Sequence, residues 1–400
     1  MTRIIKHNNM RVLTFILLIG ISAGLFAQKK NSEFAQVDKI ILQIPDSLTK
    51  TTKGLSDYIN FNFTSQTDKS RAIFTWIASN VEYDIENMFA INFYQHTDEI
   101  IDKVLKTRKG ICMHYAELYN SIANQVGIKS YVISGYTKQN GFVDYIPHAW
   151  IASFIDSTWY LFDPTWGSGY IQNSKFIKKT NDYYFKTTPE QIVKSHMPFD
   201  PLWQFLNYPV TNQEFYEGKT GLNKTKPYFN YQDTLSQFEQ ETEIEKLESS
   251  SRRIEKNGVK NSLVFDRLQH NKREIEYYNN KILVETYNSA VNQYNEGINQ
   301  LNKFIDYRNK QFTPKKPDNE IREMVDLPEK SLIDSREKLK EIKKPDSNTA
   351  NSMIQLNKSI DEAMLNLNEQ KAFLDKYFST GKMFRKSLFY KYTWMGIPLN

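Results

Sequence analysis

The chain has 400 residues, and its 52 Lys and Arg against 46 Asp and Glu give a modest net charge of +6. No basic stripe with interleaved aromatic residues stands out before residue 381, so the composition gives no support to a nucleic-acid partner. The length allows two or more domains, each with its own buried core. Cys112 is the single cysteine, which excludes an internal disulfide.

Residues 1–27 are predicted to be an export signal peptide. Three basic residues precede the apolar run 12–26, and small residues surround a cleavage point before Gln28. The run is shorter than the roughly 20 residues that span a bilayer, which disfavours the alternative of an uncleaved anchor. We therefore expect a periplasmic or extracellular protein. A lone thiol such as Cys112 is open to oxidation there, and this favours a function for it.

Residues 28–230 are rich in Tyr, Phe and Trp, with short apolar runs that favour a mixed α+β domain. Apolar spacing predicts a helix within 68–84, capped by Asp68. It predicts a second helix over 113–128, stopped by Gly127. Cys112 would then lie at or beside the start of the second helix.

Three strand-like segments follow, at 130–137, 148–154 and 158–166, each rich in aromatic or β-branched residues. The last two are predicted to pair as a hairpin whose tip lies at residues 155–157. This part of the chain is therefore expected to supply an antiparallel sheet beside the two helices.

Residues 231–378 change to Glu, Lys, Asn and Gln, and predict an all-α coiled-coil or helical-bundle module. Turn-like breaks at 312–319 and 343–348 divide it into at least three helices. Apolar residues at alternating spacings of four and three predict the packing seams. These are Tyr287, Val291, Tyr294, Ile298, Leu301 and Ile305, then Met353, Leu356, Ile360, Ala363, Leu367 and Leu374. Self-association through these helices stays open.

Residues 379–400 form a tail that mixes basic and aromatic residues. Contact with a membrane surface is one interpretation, but packing back on the helices is favoured, because short aromatic tails usually cover apolar surface.

Cys112 carries the strongest chemical signal in the sequence. The N-terminus of a helix lowers the pKa of a thiol through its unpaired N–H groups and its dipole, and those groups can also hold an oxyanion. Gly110 permits a sharp turn just before it. A buried, inert cysteine is the alternative, and a metal site with His114 is disfavoured because no ligand cluster has suitable spacing.

A thiol nucleophile needs a histidine to carry its proton. His148, at the start of a predicted strand, is preferred to His96 and His270, which lie in polar stretches. With a hairpin loop centred between residues 155 and 156, Asp163 falls directly opposite His148 on one face. That carboxylate would orient the imidazole and complete a Cys-His-Asp triad.

Three separated motifs, GICMHYAELYNSIANQVGIKSYVISGY, HAWI and WYLFDPTWG, resemble the transglutaminase-like superfamily, whose fold is related to papain. Over residues 50–217 the chain is similar to its kyphoscoliosis peptidase branch. The resemblance implies that Cys112 is the nucleophile, His148 the general base and acid, and Asp163 the orienting carboxylate. It also implies that His196 is structural.

By this resemblance the protein is expected to transfer acyl groups through a thioester, without a cofactor, and to act on a protein or peptide, including cell-envelope material. A protease or amidohydrolase is favoured, and a cross-linking transglutaminase is one alternative. The other alternative is a non-catalytic envelope scaffold that binds a peptide or glycan and uses its helices for assembly. No acidic loop supports calcium binding. Trp76 and Tyr83 are the candidates for an oxyanion-hole side chain.

Overall fold

The computed structural model describes residues 33–89 and 96–390, together with the backbone of 393–394 and 397–398. The predicted signal peptide, residues 1–27, lies outside these ranges. Within them, no helix is both long enough and apolar enough to cross a membrane. Two compact units divide the chain between Asn271 and Lys272.

The helices of the first unit precede, separate and follow its strands along the chain. In chain order they are α1 (Ala35–Ile41), α2 (Thr52–Asn62), α3 (Gln66–Asn80), α4 (Thr97–Thr107), α5 (Cys112–Gln125), α6 (Pro164–Ser168), α7 (Pro189–Ile192), α8 (Asn212–Tyr216), α9 (Tyr231–Phe238) and α10 (Glu243–Asn257). Short 3₁₀ turns occupy Asp46–Lys50, Asp182–Tyr184 and Pro201–Gln204.

The strands are β1 (Glu82–Tyr83), β2 (Lys109–Gly110), β3 (Ser130–Gln139), β4 (Phe142–Ile155), β5 (Thr158–Phe162), β6 (Gly169–Gln172), β7 (Lys175–Lys178) and β8 (His196–Pro198). Four of them form an antiparallel sheet in the order β5-β4-β3-β8. Helix α5 packs on this sheet, and the core between them includes Tyr119, Ile122 and Phe162. The mixed α/β architecture is the one that the sequence predicts.

Both predicted helices of this unit are present, with one corrected cap. Helix α3 begins after Ser65, whose hydroxyl accepts a hydrogen bond from the backbone N–H of Asp68 at 3.0 Å. The prediction of Asp68 as the N-cap is therefore wrong. The helix starts about a turn earlier, so Asp68 lies in its first turn. Helix α5 ends before Gly127, whose φ of +82° suits a glycine stop.

An ion-pair network around the buried Arg71 side chain fixes α3 to its neighbours. The Arg71 guanidinium donates two hydrogen bonds of 2.7 Å to Asp38 and one of 2.6 Å to Asp182, while its side chain is only 3% exposed. Bidentate pairing of this kind satisfies a guanidinium that burial would otherwise destabilise.

Replacing Arg71 by Ala is expected to lower the free energy of unfolding by about 3–5 kcal/mol, because it leaves the Asp38 carboxylate without its cation. Urea denaturation of the full chain measures the loss. Arg336→Ala is the matched control, since Arg336 pairs with Asp361 at an exposed position and should cost no more than about 1 kcal/mol. Equal losses in the two variants would contradict the expectation.

The second unit contains the C-terminal part of α11 (Ser262–Asn309), then α12 (Asp318–Glu341) and α13 (Ser347–Ser379). All the predicted seam residues belong to its apolar core or pack against it. The helix breaks at 310–317 and 342–346 agree with the predicted turns. Beyond α13, a 3₁₀ turn at Arg385–Phe389 packs Phe389 on the same core, and β9 (Thr393–Trp394) pairs with β10 (Ile397–Pro398).

The division at residue 271 differs from the sequence-based boundary at residue 230. Helices α9 and α10 belong to the first unit, because Leu235 packs with Trp159 and Phe205, and Ile254 packs in a neighbouring cluster. Arg253 of α10 also forms an ion pair with Asp200 at 2.7 Å. The polar composition of residues 231–257 reflects helices with a single buried stripe.

Candidate active site

Cys112 is the first residue of α5, and its side chain is 7% exposed. Strand β2 leads directly into it and is held by parallel pairing with β1, in which Gly110 lies beside Tyr83. A Cβ atom added to Gly110 would lie 2.5 Å from Cβ of His114, so only glycine fits this close approach. The glycine thus lets the chain turn from β2 into α5 with the thiol at the helix start.

His148 and Asp163 are brought together as the sequence predicts. His148 lies on β4 and Asp163 follows β5, and their Nε2 and Oδ2 atoms are 2.9 Å apart. The predicted register is wrong by two residues, since Ile151 pairs with Phe162 and the loop consists of Asp156 and Ser157. An even shift keeps both side chains on one face of the sheet, so their contact survives the correction.

The new register follows from the turn. Asp156 and Ser157 have φ angles of +49° and +65°, as a two-residue type I′ hairpin requires. Strand β5 then stops at Phe162, because Asp163 caps α6 and Pro164 has no N–H for a ladder.

Asp163 is completely buried and accepts four hydrogen bonds. Its Oδ1 accepts from the backbone N–H groups of Thr165 and Trp166 at 2.9 and 3.1 Å. Its Oδ2 contacts His148 and also Nε2 of His196, at 3.0 Å. Burial alone would raise the pKa of Asp163, but the charge of His148 and the hydrogen bonds from both histidines hold it well below its usual range. Asp163 is therefore an ionised, oriented acceptor.

His148 is the cationic partner of this carboxylate. Burial opposes its charged form, but the Asp163 carboxylate and a hydrogen bond to Cys112 outweigh burial and raise the pKa of His148 to about 10. Because Nε2 is engaged by Asp163, Nδ1 is the ring nitrogen left for Cys112. The three predicted triad residues thus lie together, with Asp163 bonded to His148 and Cys112 lining the same cleft as His148.

His196 is the member of this cluster that sequence reasoning left out of the site. It lies on β8, is completely buried, and makes a second contact between its Nδ1 and the Ser195 hydroxyl at 2.8 Å. The sequence contains no local signal for this, because β8 has three residues and reaches the site by pairing with β3.

The other histidines that the structure describes lie outside this cluster. His114 is buried beside Gly110, and its Nδ1 accepts a hydrogen bond from the backbone N–H of Ile111 at 3.3 Å. His96 precedes α4 at an exposed position, and His270 lies on α11. Among the described residues, the one cluster with metal-ligand character is His148, Asp163 and His196. Hydrogen bonds within this cluster already account for its geometry.

A cleft of about 980 Å³ opens beside Cys112 and His148. Aromatic side chains make up much of its wall: Tyr83, Tyr145, Trp166, Tyr170, Phe176 and Tyr184. Two of its charged groups are already occupied, since the Lys138 ammonium donates to the carbonyls of Phe215 and Tyr216, and Asp144 accepts from Thr137. The cleft thus combines an aromatic wall with charged side chains, among them Lys179, beside Cys112 and His148.

Of the two aromatic candidates for an oxyanion hole, Tyr83 lines the cleft. Burial, with a smaller contribution from Cys112, raises the pKa of Tyr83, so its hydroxyl remains a neutral donor. Trp76 is 1% exposed and lies under the Arg108 guanidinium, at 4.8 Å. It does not line the cleft, so Tyr83 is the better placed of the two.

Comparison with known proteins identifies the same part of the chain. Residues 53–164, which include all three predicted triad positions, match the family model of the transglutaminase-like superfamily. Kyphoscoliosis peptidase of Mus musculus is 33% identical over 38% of this chain and 24% of its own length. The Homo sapiens protein of that name is 33% identical over 37% of this chain and 23% of its own length. The matched region thus spans about a quarter of these relatives.

A solved structure described as a TGase covers 43% of this chain and 43% of its own, with 19% identity and a TM-score of 0.24. At that score the superposition carries no argument about this chain.

Proposed function

We propose that this chain, whose residues 53–164 form a transglutaminase-like domain, is an exported cysteine-dependent acyl-transfer enzyme that hydrolyses peptide or isopeptide amides. The observation that carries the proposal is the 2.9 Å contact between Asp163 and His148, which lines the same cleft as Cys112. Export rests on the predicted signal peptide at residues 1–27.

In the first step, the Cys112 thiolate attacks the carbonyl carbon of the amide, and the electrons of the C=O bond move to its oxygen. The backbone N–H of Cys112, at the first position of α5, has no acceptor within the helix and can donate to this oxyanion. We assign the second donor to the Tyr83 hydroxyl. Two fixed donors of this kind stabilise charge that develops only in the transition state.

The tetrahedral intermediate then collapses, the C=O bond reforms and the C–N bond breaks. His148, which is protonated at neutral pH because its pKa is raised, gives its proton to the departing nitrogen. The product is a thioester on Cys112. Water attacks it next and passes a proton to His148, the C–S bond breaks, and the acid product leaves a restored thiolate.

The Asp163 carboxylate keeps the imidazole oriented through both steps and stabilises its cation. Its Oδ1 atom caps the first turn of α6 by accepting from two backbone N–H groups, and these two bonds hold the carboxylate in place. In this scheme no metal or organic cofactor takes part.

The test is to profile digests of peptides and cell-envelope material by mass spectrometry, comparing the full chain with Cys112→Ala, with and without a primary amine. New cleavage products that require Cys112 would support hydrolysis. Amine-linked products alone would indicate a cross-linking transglutaminase. Binding without any Cys112-dependent product would indicate a scaffold and overturn the proposal. Export is checked by an N-terminus near Gln28 on protein recovered from the periplasm or medium.

A further inference from the structure

His196 is buried next to Asp163 and is contacted by aromatic rings and by the neighbouring strand. Its ring lies 4.6 Å from Trp166 and 5.1 Å from Trp150, measured between ring centroids, and none of its surface is exposed. Strand β8 fixes its backbone, because His196 pairs with Thr137 of β3. Its two ring nitrogens therefore have set partners.

Those partners define its protonation state. Burial lowers the pKa of His196, and the nearby charge of His148 acts in the same direction, so the ring is neutral. The Asp163 carboxylate can only accept, so the Nε2 atom of His196, 3.0 Å away, carries the hydrogen. Nδ1 is then an acceptor, and the Ser195 hydroxyl donates to it at 2.8 Å. This tautomer follows from the hydrogen-bond network.

The Oδ2 atom of Asp163 consequently receives two N–H donors, from His148 and from His196. Without His196, this oxygen would keep only the N–H donor of His148. A buried carboxylate with fewer donors is less stable as an anion, and it stabilises the imidazolium of His148 less reliably.

We infer that His196 is a positioning residue, which acts through Asp163 to keep His148 protonated and aimed at Cys112. The inference rests on the proposed function, because it assumes that His148 serves Cys112. It extends the triad to a chain of four side chains, from His196 through Asp163 and His148 to Cys112, with the Ser195 hydroxyl fixing the tautomer of His196.

The test uses iodoacetamide, which labels thiolates, on the full chain. Cys112 is the single cysteine, so one labelled peptide reports its reactivity at each pH. His196→Leu should lower the labelling rate at pH 6 by roughly tenfold or more, the effect of losing one charge-assisted hydrogen bond. The rate at pH 10 should change little, because an ordinary cysteine thiol is ionised at that pH without a histidine partner.

Two variants separate positioning from stability. His196→Gln keeps an N–H donor and should recover most of the rate lost in His196→Leu at pH 6. Asn212→Leu removes a buried side chain that accepts from the Tyr136 hydroxyl at 2.6 Å and does not line the cleft. It should lower the melting temperature and leave the labelling profile as in the wild type.

Equal rates at pH 6 in the wild type and His196→Leu, with His148→Gln slow, would overturn the inference and leave the proposed function intact. A wild-type rate at pH 6 no faster than that of glutathione, unchanged by His148→Gln, would instead contradict the proposed function. If neither His196 variant folds, Ser195→Ala keeps the ring in place and should slow labelling at pH 6 two- to threefold; no change there would also overturn the inference.

Discussion

Replacing His148 by Ala is expected to remove nearly all activity, with a fall in kcat on the order of 10⁶. That is the scale of loss when a nucleophile–histidine–carboxylate enzyme loses its histidine. His148 contacts Asp163 through Nε2 and lines the same cleft as Cys112, whose side chain contributes to its raised pKa. Its loss removes the acid for the leaving nitrogen and the base for water together. The measurement is kcat on a peptide identified by the digest profile.

The control is the double variant Cys112→Ala, His148→Ala. Because the two residues act as one unit, the double variant should be no slower than either single variant. Losses that multiply would show that His148 and Cys112 act independently, and that the triad is not the catalytic unit.

The same residue sets the alkaline limit of activity. The pKa of His148 is raised to about 10, so its proton is present below that pH and is lost as the pH rises through it. Activity should decline over that range, because the neutral ring cannot protonate the leaving nitrogen. The ion pair with Asp163 stabilises the fold fully below the ordinary value of 6.5, and this stabilisation is likewise lost as pH rises to about 10. A decline centred near pH 7 would contradict this.

The features that the sequence predicted are those set by local patterns. Glycine before Cys112, apolar spacing after it and Gly127 at the end define α5 with no tertiary information. The contact between His148 and Asp163 was predicted from a register that was two residues out. The predicted contact is nevertheless present, because the alternation of side chains along a strand determines which face of the sheet each one lies on. The turn formed by Asp156 and Ser157 determines which residues pair.

The features that the sequence did not predict depend on contacts between segments that are distant along the chain. His196 is 33 residues from Asp163 and reaches it through the three-residue strand β8, for which a single sequence has no periodic signal. The predicted boundary at residue 230 lies before the division between the two units at residue 271 for a related reason. Helices α9 and α10 have polar compositions, and their few apolar residues, such as Leu235 and Ile254, reveal their packing only once the partners are in place.

Tyr83→Phe is expected to lower kcat by about 10²–10³ while leaving KM within about twofold, the pattern for loss of one oxyanion donor. The Tyr83 hydroxyl donates no hydrogen bond to another described residue, so its removal leaves no partner unsatisfied. The ring can stay where it is, 6.3 Å from that of Phe176. Thermal stability should therefore be unchanged, and steady-state kinetics on the same peptide measures the effect.

Two further variants make this result specific to the hydroxyl of Tyr83. Tyr145→Phe removes another hydroxyl from the cleft wall, from a side chain that is 78% exposed, and should change kcat less than about twofold. Trp76→Phe alters the other aromatic candidate and should lower stability rather than kcat, because Trp76 is buried under Arg108. If Tyr83→Phe kept full kcat while Trp76→Phe lost it, the oxyanion donor would be the Trp76 indole, and α3 would have to move toward the cleft when substrate binds.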